Sequence, residues 1–105
     1  MNAKARARLR QQRTEELRAI KAKFPELEVW EFSPIHLRLK GSRSVDYWPG
    51  TGRAWITNSF EGSMHNISPL EVVALAFERS FDEIQNAVHG GNAALDREFR
   101  LTMQE

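Results

Sequence analysis

The chain has no cysteine, so disulfides and thiolate metal sites are excluded as ways of holding it together. It also has no long hydrophobic run. The longest largely apolar stretch, Leu70–Phe77, falls far short of the ~20 residues that span a bilayer, so no membrane partner is expected. The N-terminus is basic but lacks the apolar centre of a secretory signal, which makes a reducing cytoplasm the expected compartment. Catalytic signatures are missing too: there is no nucleophile elbow, no P-loop and no GxGxxG. His36, His65 and His89 are scattered. Glu61 and His65 sit in a Gly/Ser loop rather than on a helix face, and a Ser63–His65–Asp46 set would be a chance assembly. The expectation is a protein that is not an enzyme and needs no metal or cofactor.

What is present fits one domain: 105 residues, 41% hydrophobic, with three Trp and six Phe to give a core bulk. A net charge of +1 conceals a strong asymmetry. Residues 1–24 carry eight Lys/Arg against Glu15 and Glu16, a net +6, whereas residues 25–105 are net −5. This reads as a basic arm over residues 1–14, able to face a polyanion, in front of a single α+β domain over 15–105. Leu17, Ile20 and Phe24 form an apolar helical stripe with Thr14 as its expected N-cap. Towards the N-terminus the stripe runs into Arg13, Arg10 and Arg6, so residues 1–13 have almost nothing to bury and are expected to fray or project.

Strands follow. Leu27–Phe32 is apolar and aromatic, and Ile35-His36-Leu37-Arg38-Leu39-Lys40 alternates cleanly, with its aliphatics expected on the core face. Turn signals at 41–44 and at Pro49–Gly52 bracket Val45–Trp48 and lead into Arg53–Thr57, which predicts an antiparallel meander of three or four strands. Ser68-Pro69-Leu70-Glu71 combines an N-cap serine, a first-turn proline and a capping-box glutamate. Behind it Leu70, Val73, Phe77, Phe81, Ile84 and Val88 predict one long helix closed at Gly90-Gly91, with a short final helix over 92–103. In this reading both Phe77 and Phe81 are core residues.

Phasing the sheet with Ile35, Leu37, Leu39, Val45, Tyr47, Ala54 and Ile56 inward leaves an outer face of His36, Arg38, Lys40, Trp48, Arg53 and Trp55. Cations interleaved with aromatics suit stacked bases and phosphates, and equally a protein interface, where Trp and Arg dominate the binding energy. The alternative phase of that hairpin would bury the tryptophans. Together with Arg6, Arg8, Arg10 and Arg13 of the arm, these residues are the candidate partner-binding set.

The segment Ile35–Leu39 followed by Val45-Asp46-Tyr47-Trp48-Pro49-Gly50-Thr51-Gly52-Arg53-Ala54-Trp55-Ile56 resembles an element of small phage and prophage accessory proteins: an alternating strand, a V-D-aromatic-aromatic-P-x-T-G hairpin, then a helix. The resemblance covers about residues 35–77. It implies a stoichiometric binder acting in a bacterial host cell, such as an inhibitor of a nucleic-acid-handling or defence complex of the CRISPR kind. The partner would be a host protein or ribonucleoprotein, and the alternative is direct binding of DNA or RNA. The order helix–strands–helix is also similar to the double-stranded-RNA-binding domain, whose final helix begins with basic residues. Here that helix starts Ser68-Pro69-Leu70-Glu71 and has no Lys or Arg before Arg79, so that mode of RNA binding is not expected.

Overall fold

The structure, a computed structural model, describes residues 2–60 and 62–89. The architecture is α+β. Helix α1 (Ala3–Lys23) leads into four strands, β1 (Glu28–Ser33), β2 (His36–Lys40), β3 (Ser44–Trp48) and β4 (Arg53–Ile56), followed by α2 (Pro69–Phe77) and α3 (Phe81–His89). The strands form one antiparallel sheet in chain order. The predicted final helix and its Gly90-Gly91 boundary lie outside the described residues.

Alternation decides the faces. Opposite residues of an antiparallel pair share a side, so Val29, Leu39, Val45 and Ile56 make one inner row, and Glu31, Leu37, Tyr47 and Ala54 the next. Leu17 and Ile20 of α1 and Val72, Val73 and Ala76 of α2 close over them, and these side chains are essentially inaccessible. Ile35 is not part of this core. It occupies the β1–β2 turn and is 55% exposed, because β2 begins at His36 and leaves Ile35 no strand position.

Helix α1 starts earlier than its apolar stripe. Asn2, not Thr14, caps it by accepting from the Ala5 N–H at 2.8 Å, and Thr14 instead donates its hydroxyl to the Arg10 carbonyl. The basic segment is thus the first half of one continuous helix. It rests on the β3–β4 turn through Arg13, which donates to the Pro49 carbonyl at 2.9 Å, and through the Arg6 and Arg10 stems beside Gly50.

The predicted long C-terminal helix is two helices. Glu78 takes the left-handed conformation (φ 55°), which ends α2, and Ser80 caps α3 by accepting from the Glu83 N–H at 3.1 Å. The break rotates the second half of the stripe: Ile84 is buried, whereas Phe81 is 40% exposed and Phe77 is half-buried against Phe24. Phe81 is therefore not a core residue. The end of α2 is held by the β2–β3 turn, where Arg43 donates to the Leu75 carbonyl at 2.7 Å and Ser42 to that of Ala76. Gly41 permits this approach, since a Cβ there would stand 2.7 Å from the Phe77 ring and 2.8 Å from the Ala76 oxygen.

At the other end of α2 both reciprocal bonds of the capping box form: Glu71 N–H to Ser68 Oγ and Ser68 N–H to Glu71 Oε1, each at 3.2 Å. Ser68→Ala is expected to cost about 1 kcal/mol in chemical denaturation. A change too small to measure would show that the packing of α2, rather than its cap, sets where the helix starts.

Candidate interaction face on the outer side of the sheet

The outer side of the sheet is uncovered by any described helix and carries two rows. Trp30, Arg38, Asp46 and Trp55 lie directly across from one another on the four strands, and Trp48 faces Arg53 in the adjoining row with His36 beside them. His36, Arg38, Lys40, Trp48, Arg53 and Trp55 therefore share one side. Trp48 and Trp55 are half-buried in this layer rather than in the core. Strand β1 extends the face with Trp30 and Phe32, 42% and 54% exposed, which were not singled out from the sequence. The signal for them was the period-two pattern of Val29-Trp30-Glu31-Phe32 once its pairing to β2 is known.

The side chains form a continuous stack. The His36 ring lies parallel to Trp48, with centroids 4.6 Å apart, and meets the edge of Phe32 at 5.2 Å. Arg53 caps the Trp48 ring at 4.7 Å, and Arg38 lies over Phe32 at 5.1 Å. Guanidinium–ring contacts of this kind are attractive through the ring quadrupole.

Asp46 sits at the centre of the face, buried although it points away from the core. Its Oδ1 lies 2.8 Å from His36 Nε2 and accepts from Arg38 Nε at 3.0 Å, while Oδ2 accepts from Thr57 Oγ1 at 3.1 Å. Burial alone would raise its pKa, but the hydrogen bonds from Arg38, His36 and Thr57, with the Arg38 charge, outweigh it and hold the carboxyl below its ordinary value. The aspartate thus fixes the rotamers of the residues that make the stack and absorbs the Arg38 charge. Alternation places Asp46 on the outer face, and the sequence otherwise offers it only as part of a chance triad. His65 takes no part in its hydrogen-bonding, and Ser63 accepts from Arg53 at 3.0 Å.

The arm residues are placed elsewhere. Arg6 and Arg8 are exposed and Arg10 half-buried along α1, which packs on the inner side of the sheet through Leu17 and Ile20. Arg13 is spent on the Pro49 carbonyl. The basic helix and the aromatic face are thus two surfaces on opposite sides of the sheet, approaching each other at the β3–β4 turn and along β1, where Arg18 pairs with Glu31. Among the described residues no helix is long and apolar enough to cross a membrane. No protein-family model matches this chain, and no curated protein or solved structure is significantly similar to it.

Proposed function

We propose that this protein is a non-catalytic, phage-type accessory protein that docks through the outer sheet face onto a host nucleic-acid-handling or defence complex in the bacterial cytoplasm and inhibits or modulates it. The observation that carries this reading is the row of accessible aromatic side chains on an open sheet whose charges are largely committed internally. Arg38 is paired to Asp46 and Arg53 is laid on Trp48, so a polyanion would meet chiefly Lys40 and the outer edge of Arg53 there. Rigid aromatics beside pre-oriented guanidinium groups are what a protein-binding hot spot requires. Contiguous exposed apolar surface of this sort marks an interaction site.

The test is a titration of the partner identified from host lysate, with salt as the variable. Binding is expected to weaken by less than about tenfold between roughly 50 and 200 mM salt. Joint replacement of Trp30 and Phe32 by Ala should lower affinity by at least about thirtyfold, the loss typical of a hot spot. Both residues are exposed enough that the fold should survive. Tight binding to DNA or RNA with no protein present, falling about a hundredfold over the same salt range, would overturn the reading in favour of direct nucleic-acid binding.

A further inference from the structure

Strand β1 is paired on one side only. Strand β2 occupies one edge, and among the described residues no strand occupies the other. The backbone N–H and C=O groups of alternate β1 residues therefore face outward, the arrangement that invites another strand. Helix α1 runs alongside and leaves a groove between itself and that edge. The open part, about 730 Å3, lies between the first four turns of α1 and Glu31, Ser33 and Pro34. It continues into a narrower pocket of about 170 Å3 with Leu17, Val29 and Leu37 in its lining.

The groove is electropositive. Lys4, Arg8 and Arg10 line its open part and Lys21 its narrow end. Of its two carboxylates, Glu31 is bound to Arg18 at 2.6 Å and Glu15 accepts from Gln11. One wall thus offers main-chain donors and acceptors at strand spacing, and the other offers cations.

We propose that this groove is a second binding site, which takes an extended acidic segment of a protein partner as a fifth strand on the free edge of β1. The two-residue period of a strand sends alternate side chains to opposite faces of the sheet, so one set meets the cations of α1 on the inner side while the other lies beside Trp30 and Phe32 on the outer side. Main-chain pairing supplies affinity and the wall supplies selectivity, as in other cases of strand addition. The six-residue β1 is about 20 Å long and sets the span of the bound segment. A nucleic acid could use the cations but not the strand edge, and for that reason the peptide is the favoured occupant. The site shares β1 with the aromatic face, but the α1 cations lie on the opposite side of the sheet from Trp48 and Trp55, so the two readings can fail separately.

The full chain should be titrated by fluorescence anisotropy with a labelled, end-capped octapeptide of alternating Glu and Val. It should be compared with the Lys/Val counterpart and with acidic peptides N-methylated at alternate backbone nitrogens in each of the two registers. The acidic peptide is expected to bind and its Lys/Val counterpart not. One N-methylated register should lose at least about tenfold in affinity, because only one set of N–H groups faces β1. Joint Lys4→Glu and Arg8→Glu replacement, at two exposed positions, should lower affinity by a similar factor. Trp55→Ala, on β4 at the far side of the sheet from this edge, should leave it unchanged. Equal binding of both N-methylated registers and the parent would reduce the effect to bulk charge and overturn the proposal. Displacement of the peptide by an oligothymidylate that binds more tightly would assign the groove to nucleic acid. Sedimentation showing self-association lost with β1 substitutions would assign it to a second copy of this chain.

Discussion

Replacing Tyr47 by Ala is expected to cost about 3–5 kcal/mol, the range for deleting a buried aromatic ring. Against a total of about 5–15 kcal/mol for a domain, that leaves the chain marginal or unfolded. Among the described residues Tyr47 is the largest fully inaccessible side chain, at the centre of the inner face between Leu37 and Ala54, so no neighbour can collapse into the space without moving the sheet. Its hydroxyl donates to the Ile67 carbonyl at 2.7 Å and thereby ties the segment that leads into α2 to the sheet. Tyr47→Phe keeps the ring and loses only that bond, at about 1–2 kcal/mol. Urea denaturation of both variants separates ring from hydroxyl, and equal costs would mean that the bond, not the packing, dominates. Burial pushes the phenol well above its ordinary value. A raised folded-state pKa gives stability that is complete below about pH 10 and lost as pH rises beyond it. That alkaline loss should be absent from Tyr47→Phe.

Arg38→Glu is expected to be the most damaging change on the outer face, at about 3 kcal/mol near pH 7. Exposed charges ordinarily contribute little to stability, which would make charge reversal at Arg38 a pure binding test. The buried Asp46 removes that simplicity, because a glutamate there would confront it after deleting its best donor. Breaking a buried pair costs about 3–5 kcal/mol. The lower end applies here because the Arg38 side chain is 35% exposed and its replacement can turn to water. The pH dependence should invert. In the natural protein Asp46 has a lowered pKa, so its contribution is present above the ordinary carboxylate value, about 4, and is lost as pH falls through the folded-state value. In the variant, repulsion raises the pKa, so the deficit is largest at neutral pH and shrinks towards about pH 4. Denaturation curves at the two pH values decide the matter: a deficit that does not change would rule out the carboxylate as its source.

The meander and its phase were legible because alternation carries physical information. Leu37 and Leu39 had to be buried, and the one-residue offset then committed His36, Arg38 and Lys40 to the other side. The capping box at Ser68 was legible for a similar reason, since a side chain at a fixed spacing satisfies a backbone donor. The helix break was not read, although Ser80-Phe81-Asp82-Glu83 repeats the same serine-to-glutamate spacing and its bonds form. An uninterrupted apolar periodicity in the sequence masked it, although the left-handed Glu78 turns the second half of the stripe away from the first. The start of α1 was missed because the apolar stripe was used to find it, whereas a helix can extend beyond its buried face when a cap and the alkyl stems of Arg6 and Arg10 support it. The role of Asp46 could not be read at all. A carboxylate at a solvent-facing strand position is ordinary until two partners on β2 and one just beyond β4 converge on it.

The agreement between strand order and chain order has a kinetic consequence. Every ladder joins consecutive strands, so each can form by closing a short loop, at small entropic cost and on the microsecond scale of hairpins. Docking of α1 is different in kind: Leu17 and Ile20 must find α2, from which the whole sheet separates them along the chain. The sheet and the α2 cap can therefore be in place before α1 arrives, and the rate-limiting ensemble would hold little of its packing. Changes at Leu17 and Ile20 would then act mainly by hastening unfolding, while changes in β2 and β3 would slow folding itself.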